Sequence, residues 1–369
     1  MMRLKINTAA FQNMVAKAAK GAVMNKDLFI TQLMAIQLKN GRLTLITTDN
    51  SNYLYVSEQL PGEDFYVVVQ VDKFSKLISK LTCDVVELEL VSKEGQLDKL
   101  VVTGNGRHVL ELPYDEDGEL IEFPDPVESA NTSDWKAITT KLSTIKMILS
   151  TAKPALSANA DTCYSGYYMG NCIVSTNTYK ICGIDIKMFD EPKLLPPQLI
   201  DLLDVVTEED ITVQYNDDSL IFSTSGVIVY GKTMSGIEDY KIDAIQALLD
   251  EPFPSSCKID KSLLLQILDR ASLFVDTYDK NGIYLTFTKD GLMISNKKDK
   301  GEEVIPYKES SDFKAYTCCL DIDLFKTQVK AYPSELLEIL YGKNSLKFVV
   351  GNVKQFVALS VDDRAEQGE

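Results

Sequence analysis

Lys73, Lys76 and Lys80 recur at intervals of three and four along a segment whose apolar residues, Phe74, Leu77, Ile78 and Leu81, keep the same helical spacing. Residues three and four apart share one face of an α-helix, so the segment predicts a helix that packs on one side and presents ammonium groups on the other. Lys17 and Lys20 stand in the same relation to Phe11, Met14, Val15 and Ala18, and Lys326 and Lys330 lie four apart in another such segment. Ammonium groups held in rows suit phosphate oxygens, which they neutralise without reading bases. Lys26, Lys141 and Lys146 extend the candidate set. The pattern is not uniform: Lys141, Lys146 and Lys153 form no clean stripe, and a corresponding helix further on carries Asp201 and Asp204 instead.

No constellation for bond-making chemistry accompanies these lysines. The single histidine, His108, sits beside Arg107 in a strand-like run, and the chain has no G-x-S-x-G, G-x-x-x-x-G-K or H-E-x-x-H motif. Its seven cysteines include no C-x-x-C pair, which argues for buried reduced thiols over a zinc site or a disulfide framework. The acidic run Asp115-Glu116-Asp117-Gly118-Glu119 lacks the alternation of a calcium loop and reads as a solvated turn. A non-catalytic protein without metal or cofactor is expected. The formal net charge of −16 opposes nucleic-acid binding only if it is evenly spread. A basic inner wall beneath an acidic exterior satisfies both observations. No apolar run approaches the ~18 residues of a membrane span, and the polar opening Met1 to Ile6 does not read as a signal peptide, so a cytoplasmic protein with no membrane partner is expected.

The elements that carry the lysines recur. A strand at Arg3 to Ile6 leads to Thr8, the expected N-cap of the first helix, which Gly21 closes; strand-like runs at Leu28 to Leu38 and Arg42 to Thr48 flank the turn Lys39-Asn40-Gly41; a run at Phe65 to Val71 enters the lysine-striped helix, and further strands run to Leu112. The order returns from Trp135, with a helix carrying Leu142, Ile145, Leu149 and Ala152, and again from Cys257, with a helix carrying Leu264, Ile267, Leu268 and Ala271. Proline-rich connectors, Phe123-Pro124-Asp125-Pro126 and Pro252-Phe253-Pro254, separate the copies. The reading is an α+β chain of three repeated domains, 1–127, 128–254 and 255–369.

The layout and several of its phrases resemble the bacterial DNA polymerase III beta sliding clamp family over essentially the whole chain. Leu4-Lys5-Ile6 with Phe11 to Lys20, Leu43-Thr44-Leu45-Ile46-Thr47-Thr48-Asp49 and Val71-Asp72-Lys73-Phe74 are similar to the family's first domain. Ser175-Thr176-Asn177-Thr178-Tyr179-Lys180-Ile181 resembles its Thr-Asp-Gly-His-Arg-Leu stretch, and Gly236-Ile237-Glu238-Asp239-Tyr240 resembles the phrase that leads out of the second domain. The resemblance implies clamp domains that each pair two helices with two small antiparallel sheets, and a chain that forms half of a closed ring. It implies a head-to-tail homodimer that encircles duplex DNA independently of sequence, tethers the replicative DNA polymerase and is opened by a separate clamp loader. Tyr164, beside Cys163, falls where the family carries aromatics that touch DNA.

Carried over by position, the family's partner-peptide pocket uses Thr176, Tyr179, Lys180, Ile181, Ile242, Ile245, Leu359 and Val361. The chain departs from the family there: Thr178 replaces a glycine, Tyr179 a histidine and Lys180 an arginine, and Leu359 to Arg364 replaces a Met-Pro-Met-Arg type of ending. These changes suggest a divergent member, of the kind a phage or mobile element encodes, with its own docking sequence. The rival reading is a three-domain interaction scaffold that does not encircle DNA.

Overall fold

The computed structural model of the chain describes residues 3–25, 27–93, 96–115, 117–275, 282–296 and 301–360. The first third holds β1 (Arg3–Asn7), α1 (Thr8–Ala18), β2 (Leu33–Lys39), β3 (Arg42–Thr48), β4 (Tyr53–Gln59), β5 (Phe65–Gln70), α2 (Val71–Ser79), β6 (Val85–Lys93), β7 (Gln96–Thr103) and β8 (Arg107–Glu111). After the short α3 (Pro126–Ser129) come β9 (Lys136–Lys141), α4 (Leu142–Met147), β10 (Tyr167–Met169), β11 (Ile173–Thr176), β12 (Lys180–Ile184), β13 (Lys193–Leu195), α5 (Pro197–Leu202), β14 (Asp210–Tyr215), β15 (Ser219–Ser223) and β16 (Val227–Lys232). Beyond α6 (Ile242–Asp250) lie β17 (Ser255–Asp260), α7 (Lys261–Ala271), β18 (Gly282–Phe287), β19 (Leu292–Asn296), β20 (Glu302–Ile305), β21 (Glu309–Ser311), β22 (Tyr316–Asp321), α8 (Ile322–Ala331), β23 (Leu336–Tyr341), β24 (Ser345–Val350) and β25 (Val353–Ala358). Apart from the extra β21, each third follows one order: strand, helix, four strands, helix, three strands.

The repeat extends to local chemistry. At three junctions the last residue of the strand caps the helix that follows: Asn7, one residue before the expected Thr8, accepts from Ala10 N–H, Asp260 from Leu263 N–H, and Asp321 from the N–H groups of Asp323 and Leu324. The β3–β4 and β11–β12 turns are also alike. Thr48 Oγ1 donates to Asn52 O at 2.7 Å, and Thr176 Oγ1 to Lys180 O at 2.8 Å. Asp49 and Asn177 each accept two backbone N–H groups, and the next residue has positive φ, +85° at Asn50 and +74° at Thr178.

Strand pairing among the described residues is antiparallel, and it follows one rule. Each third makes one set of four in the order β5-β2-β3-β4, β13-β10-β11-β12 or β22-β18-β19-β20, and a second set ordered β1-β6-β7-β8, β9-β14-β15-β16 or β17-β23-β24-β25. β4 pairs with β16 and β12 pairs with β25, which fuses sets from successive thirds into continuous sheets of eight and nine strands. The sets ending in β8 and β20 stay separate, each with that strand at its edge.

The chain divides into two compact units, Met1–Ile145 with Gln198–Thr233 and Lys146–Pro197 with Met234–Glu369. In the first, Phe11 of α1 meets Phe74 of α2 edge-on at 6.0 Å, and Gln12 Nε2 donates to the carbonyls of Ile78 and Leu81, which binds the two helices side by side. Connector residues Phe123, Ile121, Val127 and Trp135 pack with Tyr55 and Tyr230 on the fused sheet. In the second, α7 and α8 pack together over a core that includes Phe287, Phe325, Tyr341 and Phe348.

Two segments differ from their sequence patterns for local reasons. The run expected as one strand from Leu28 begins as a 3₁₀ turn, Phe29–Gln32, because Thr31 Oγ1 bonds the carbonyls of Val23 and Leu28 and so closes the turn before β2. After α4 the helix widens into a π turn, Ile148–Ala152, which rotates its face so that Ile148 is fully buried where the period pointed to Leu149. His108 lies on β8, an exposed edge strand, and all seven cysteines are free thiols. No helix among the described residues is long and apolar enough to cross a membrane.

Candidate nucleic-acid interface and docking pocket

α2 buries Val71, Phe74 and Ile78 and leaves Lys73, Lys76 and Lys80 exposed on the other side. α1 buries Phe11, Met14, Val15 and Ala18, with Lys17 half-exposed and Lys20 exposed in the 3₁₀ turn that follows. The apolar periodicity therefore places both rows where the sequence puts them. Lys146 is exposed on α4, Lys330 is exposed on α8, and Lys326 is half-buried on α8. Lys26 lies outside the described residues.

Carboxylates divide the set in two. Lys20 Nζ stands 3.0 Å from Asp204, Lys76 stands 2.6 Å from Asp72, Lys141 pairs with Asp210, and Lys326 pairs with Asp269. The Lys326 hydrogen bond holds the Asp269 carboxyl below the usual range, against desolvation and with help from the charges of Lys326, Lys330 and Arg270. Lys17, Lys73, Lys80, Lys146 and Lys330 form no ion pair among the described residues. These five ammonium groups are open to an outside anion. The paired ones must first be released from their carboxylates, which costs little where both partners are exposed, as at Lys20 and Lys76. Tyr164 is half-buried in the 3₁₀ turn Cys163–Ser165, with its ring 5.1 Å from Tyr240.

The docking set divides differently. Ile181, Ile245 and Ile242 come together in one apolar cluster with Tyr240, Tyr168 and Phe356. Thr176 and Lys180 form the turn that precedes Ile181, and both are buried. Burial lowers the Lys180 ammonium from its ordinary pKa, with Asp321 opposing the shift. Tyr179 is 62% exposed, and its carbonyl accepts Ala358 N–H at 2.8 Å. Leu359 packs instead against the core under α7 and α8, and Val361 lies outside the described residues. Three of the eight candidates thus meet, in a cluster that is already packed.

The lysine and pocket patterns did not reveal the exposed apolar groups near the free edges. Val109 on β8 is 46% exposed and Val304 on β20 is 53% exposed. Leu273 and Phe274, just past α7, are 78% and 51% exposed, and Phe274 lines a small groove with Glu302 and Glu303 of β20. The available signal was the pair Leu273-Phe274 continuing an apolar helix beyond its buried stripe.

No protein-family model and no curated protein sequence matches the chain. Solved structures do. The beta subunit from DNA polymerase of Streptococcus pyogenes superposes with a TM-score of 0.84 at 16% identity, covering 98% of this chain and 100% of that one. DNA polymerase III subunit beta from Borrelia burgdorferi matches with a TM-score of 0.83 at 15% identity over 98% and 100% of the two chains. The DNA polymerase sliding clamp from Bacillus subtilis matches with 0.83 at 14% identity over 98% and 99%. The chain shares the fold of these proteins over 98% of its length.

Proposed function

We propose that the chain is a divergent sliding clamp of the beta type, built of three domains, 1–127, 128–254 and 255–369, and working without catalysis. The pairing rule of the sheets carries the reading. The end strand of one set, β4 or β12, pairs with the end strand of the next third's other set, β16 or β25. By the same rule β20 seeks β8, and both are free edges. An open edge invites pairing with another chain. Two copies joined head to tail, β20 of each on β8 of the other, satisfy every edge of this kind and close a ring, with Val109, Val304, Leu273 and Phe274 as the apolar groups at the two joints.

Duplex DNA would thread that ring, held by topology and by Lys17, Lys73, Lys80, Lys146 and Lys330 without sequence preference. The ring tethers a replicative DNA polymerase near the primer end, a separate clamp loader opens it, and the protein acts in the cytoplasm. Loading on nicked circular plasmid followed by linearisation tests the reading: release on cutting and a solution mass of twice the chain are expected. Retention that is indifferent to cutting would leave the scaffold reading instead.

A further inference from the structure

We propose that the joint between β12 and β25 is the weak seam of the chain, one that opens locally far more readily than the matching joint between β4 and β16. Both joints follow one pairing rule, so they can be compared position by position. Thr48 pairs with Tyr53, and Thr176 with Ile181, across the matching turns, which makes Cys182 the counterpart of Leu54. Leu54 faces Val229 across the first joint, and Cys182 faces Gln355 across the second. All four residues are fully buried. An amide therefore occupies a place in the second joint that a valine fills in the first.

A second amide reaches the same joint from α8. Gln328 is fully buried too, and its Nε2 donates to the carbonyls of Ile181 on β12 and Phe356 on β25, at 3.1 and 3.4 Å. Those bonds use both of its N–H groups. Gln328 Oε1, Gln355 Oε1 and Gln355 Nε2 are buried and have no hydrogen-bond partner among the described residues. The first joint has one such atom, Asn52 Oδ1, just before β4. Native interiors seldom leave polar atoms unpaired, because each forfeits its bonds to water on burial. Three of them at one seam lower the stability of the closed joint, and all three regain bonds to water when the strands part. Opening the first joint mainly wets Leu54 and Val229, which gain nothing from it. Backbone pairing does not account for the difference, since the β12–β25 ladder is the longer of the two.

The test is hydrogen–deuterium exchange of the full-length native protein, resolved to single amides by electron-transfer fragmentation and mass spectrometry. The joint-facing amides of β12 and β25 should exchange about tenfold or more faster than those of β4 and β16, because exchange tracks the population of the locally opened state. Amides of the β18–β22 ladder, in the same compact unit as β12 and β25, should stay slow. Equal rates at the two joints, or β18–β22 amides as fast as those of β12, overturn the weak seam. Gln328→Leu/Gln355→Val gives the second joint the apolar character of the first. It should slow the β12 and β25 amides several-fold and leave those of β4 and β16 as they were, and a folded variant whose joint exchanges as fast as the native one also overturns the proposal. If that variant does not fold, the comparison within the native protein decides alone. The measurement involves no DNA, so it stands or falls apart from plasmid retention.

Discussion

Thr47 Oγ1 donates a hydrogen bond of 2.6 Å to the carbonyl oxygen of Ala18, the last residue of α1. In the next third Ser175 Oγ makes a bond of the same length to Ala152, where the helix begun by α4 is ending. Each donor immediately precedes the threonine that closes the matching turn, so one hydroxyl ties helix end to strand in both copies. Both hydroxyls are fully buried, and the last carbonyls of a helix lack partners within it.

Thr47→Val keeps the shape and leaves the Ala18 carbonyl buried without this donor. A loss of about 1–3 kcal/mol in unfolding free energy is expected, the cost of an unsatisfied buried polar group. Ser175→Ala should fall in the same range. Urea titrations indistinguishable from the native protein would remove the role assigned to the pair.

Thr178→Gly should stabilise the chain. Its φ of +74° lies in the left-handed region, where a β-branched residue is strained, and the matching position of the first third holds Asn50. Glycine removes roughly 1–2 kcal/mol of left-handed strain, partly offset by its greater freedom when unfolded. A rise in melting temperature is the expected reading, and a fall would mean that the threonine side chain contributes more than its backbone costs.

Glu208 predicts a pH dependence. Burial would raise its pKa, but hydrogen bonds from Ser225 Oγ, its own backbone N–H and Thr207 N–H outweigh that and pull it down to about 2, from an ordinary 4.5. A carboxylate depressed in the folded state contributes stability that is present above its unfolded pKa and lost as pH falls through the folded one. The window thus runs from about 4.5 down to about 2. Glu208→Gln should be less stable than the native protein at pH 7 and should lose less on acidification across that window. Parallel curves of melting temperature against pH would refute the assignment.

The order of elements is legible because its signals are local. Asn40-Gly41 turns a hairpin, the apolar stripes of α1, α2, α7 and α8 fall on buried faces, and the cap of α1 lies at Asn7, one residue from the expected Thr8. Strand pairing across the repeats is not local. Nothing near Tyr53 announces Tyr230, its partner on β16, so the fused sheets and the lone edges β8 and β20 emerge only in three dimensions. The same limit applies to charge: Lys20 meets a carboxylate 184 residues away, so a helix face that reads as purely basic is half-neutralised from elsewhere. α6 is hidden for another reason. Its period is helical, but it abuts the proline connector, and its isoleucines, read from the resemblance as pocket residues, pack with Ile181, Tyr240 and Phe356.

The free edges predict how the proposed dimer breaks. Phe274→Asp places a charge on an exposed apolar side chain beside β20 without touching a buried core, so the fold should stand while the association weakens. Sedimentation at micromolar concentration should show a shift from twice the chain mass toward the monomer, with the melting profile of the protomer retained. Val304→Lys, on β20 itself, should act in the same direction. Two variants that both remain dimers would place the interface elsewhere.

The lysines of α2 are not equivalent, and their differences make the nucleic-acid assignment testable residue by residue. Lys73 and Lys80 have no carboxylate partner among the described residues, whereas Lys76 is held by Asp72 at 2.6 Å on the same helix. Lys73→Glu/Lys80→Glu should therefore shorten retention on circular DNA more than twice as much as Lys76→Glu alone. Removing a lysine from a phosphate should also lower the slope of log affinity against log salt by about 0.9 per phosphate. Dimer mass should not change, because α2 takes no part in strand pairing: its buried residues pack against α1, and its lysines project from the opposite side. If the triple change Lys73→Glu/Lys76→Glu/Lys80→Glu left both retention and salt slope as they were, α2 would be an ordinary solvated helix, and the role of holding phosphates would fall to Lys17, Lys146 and Lys330.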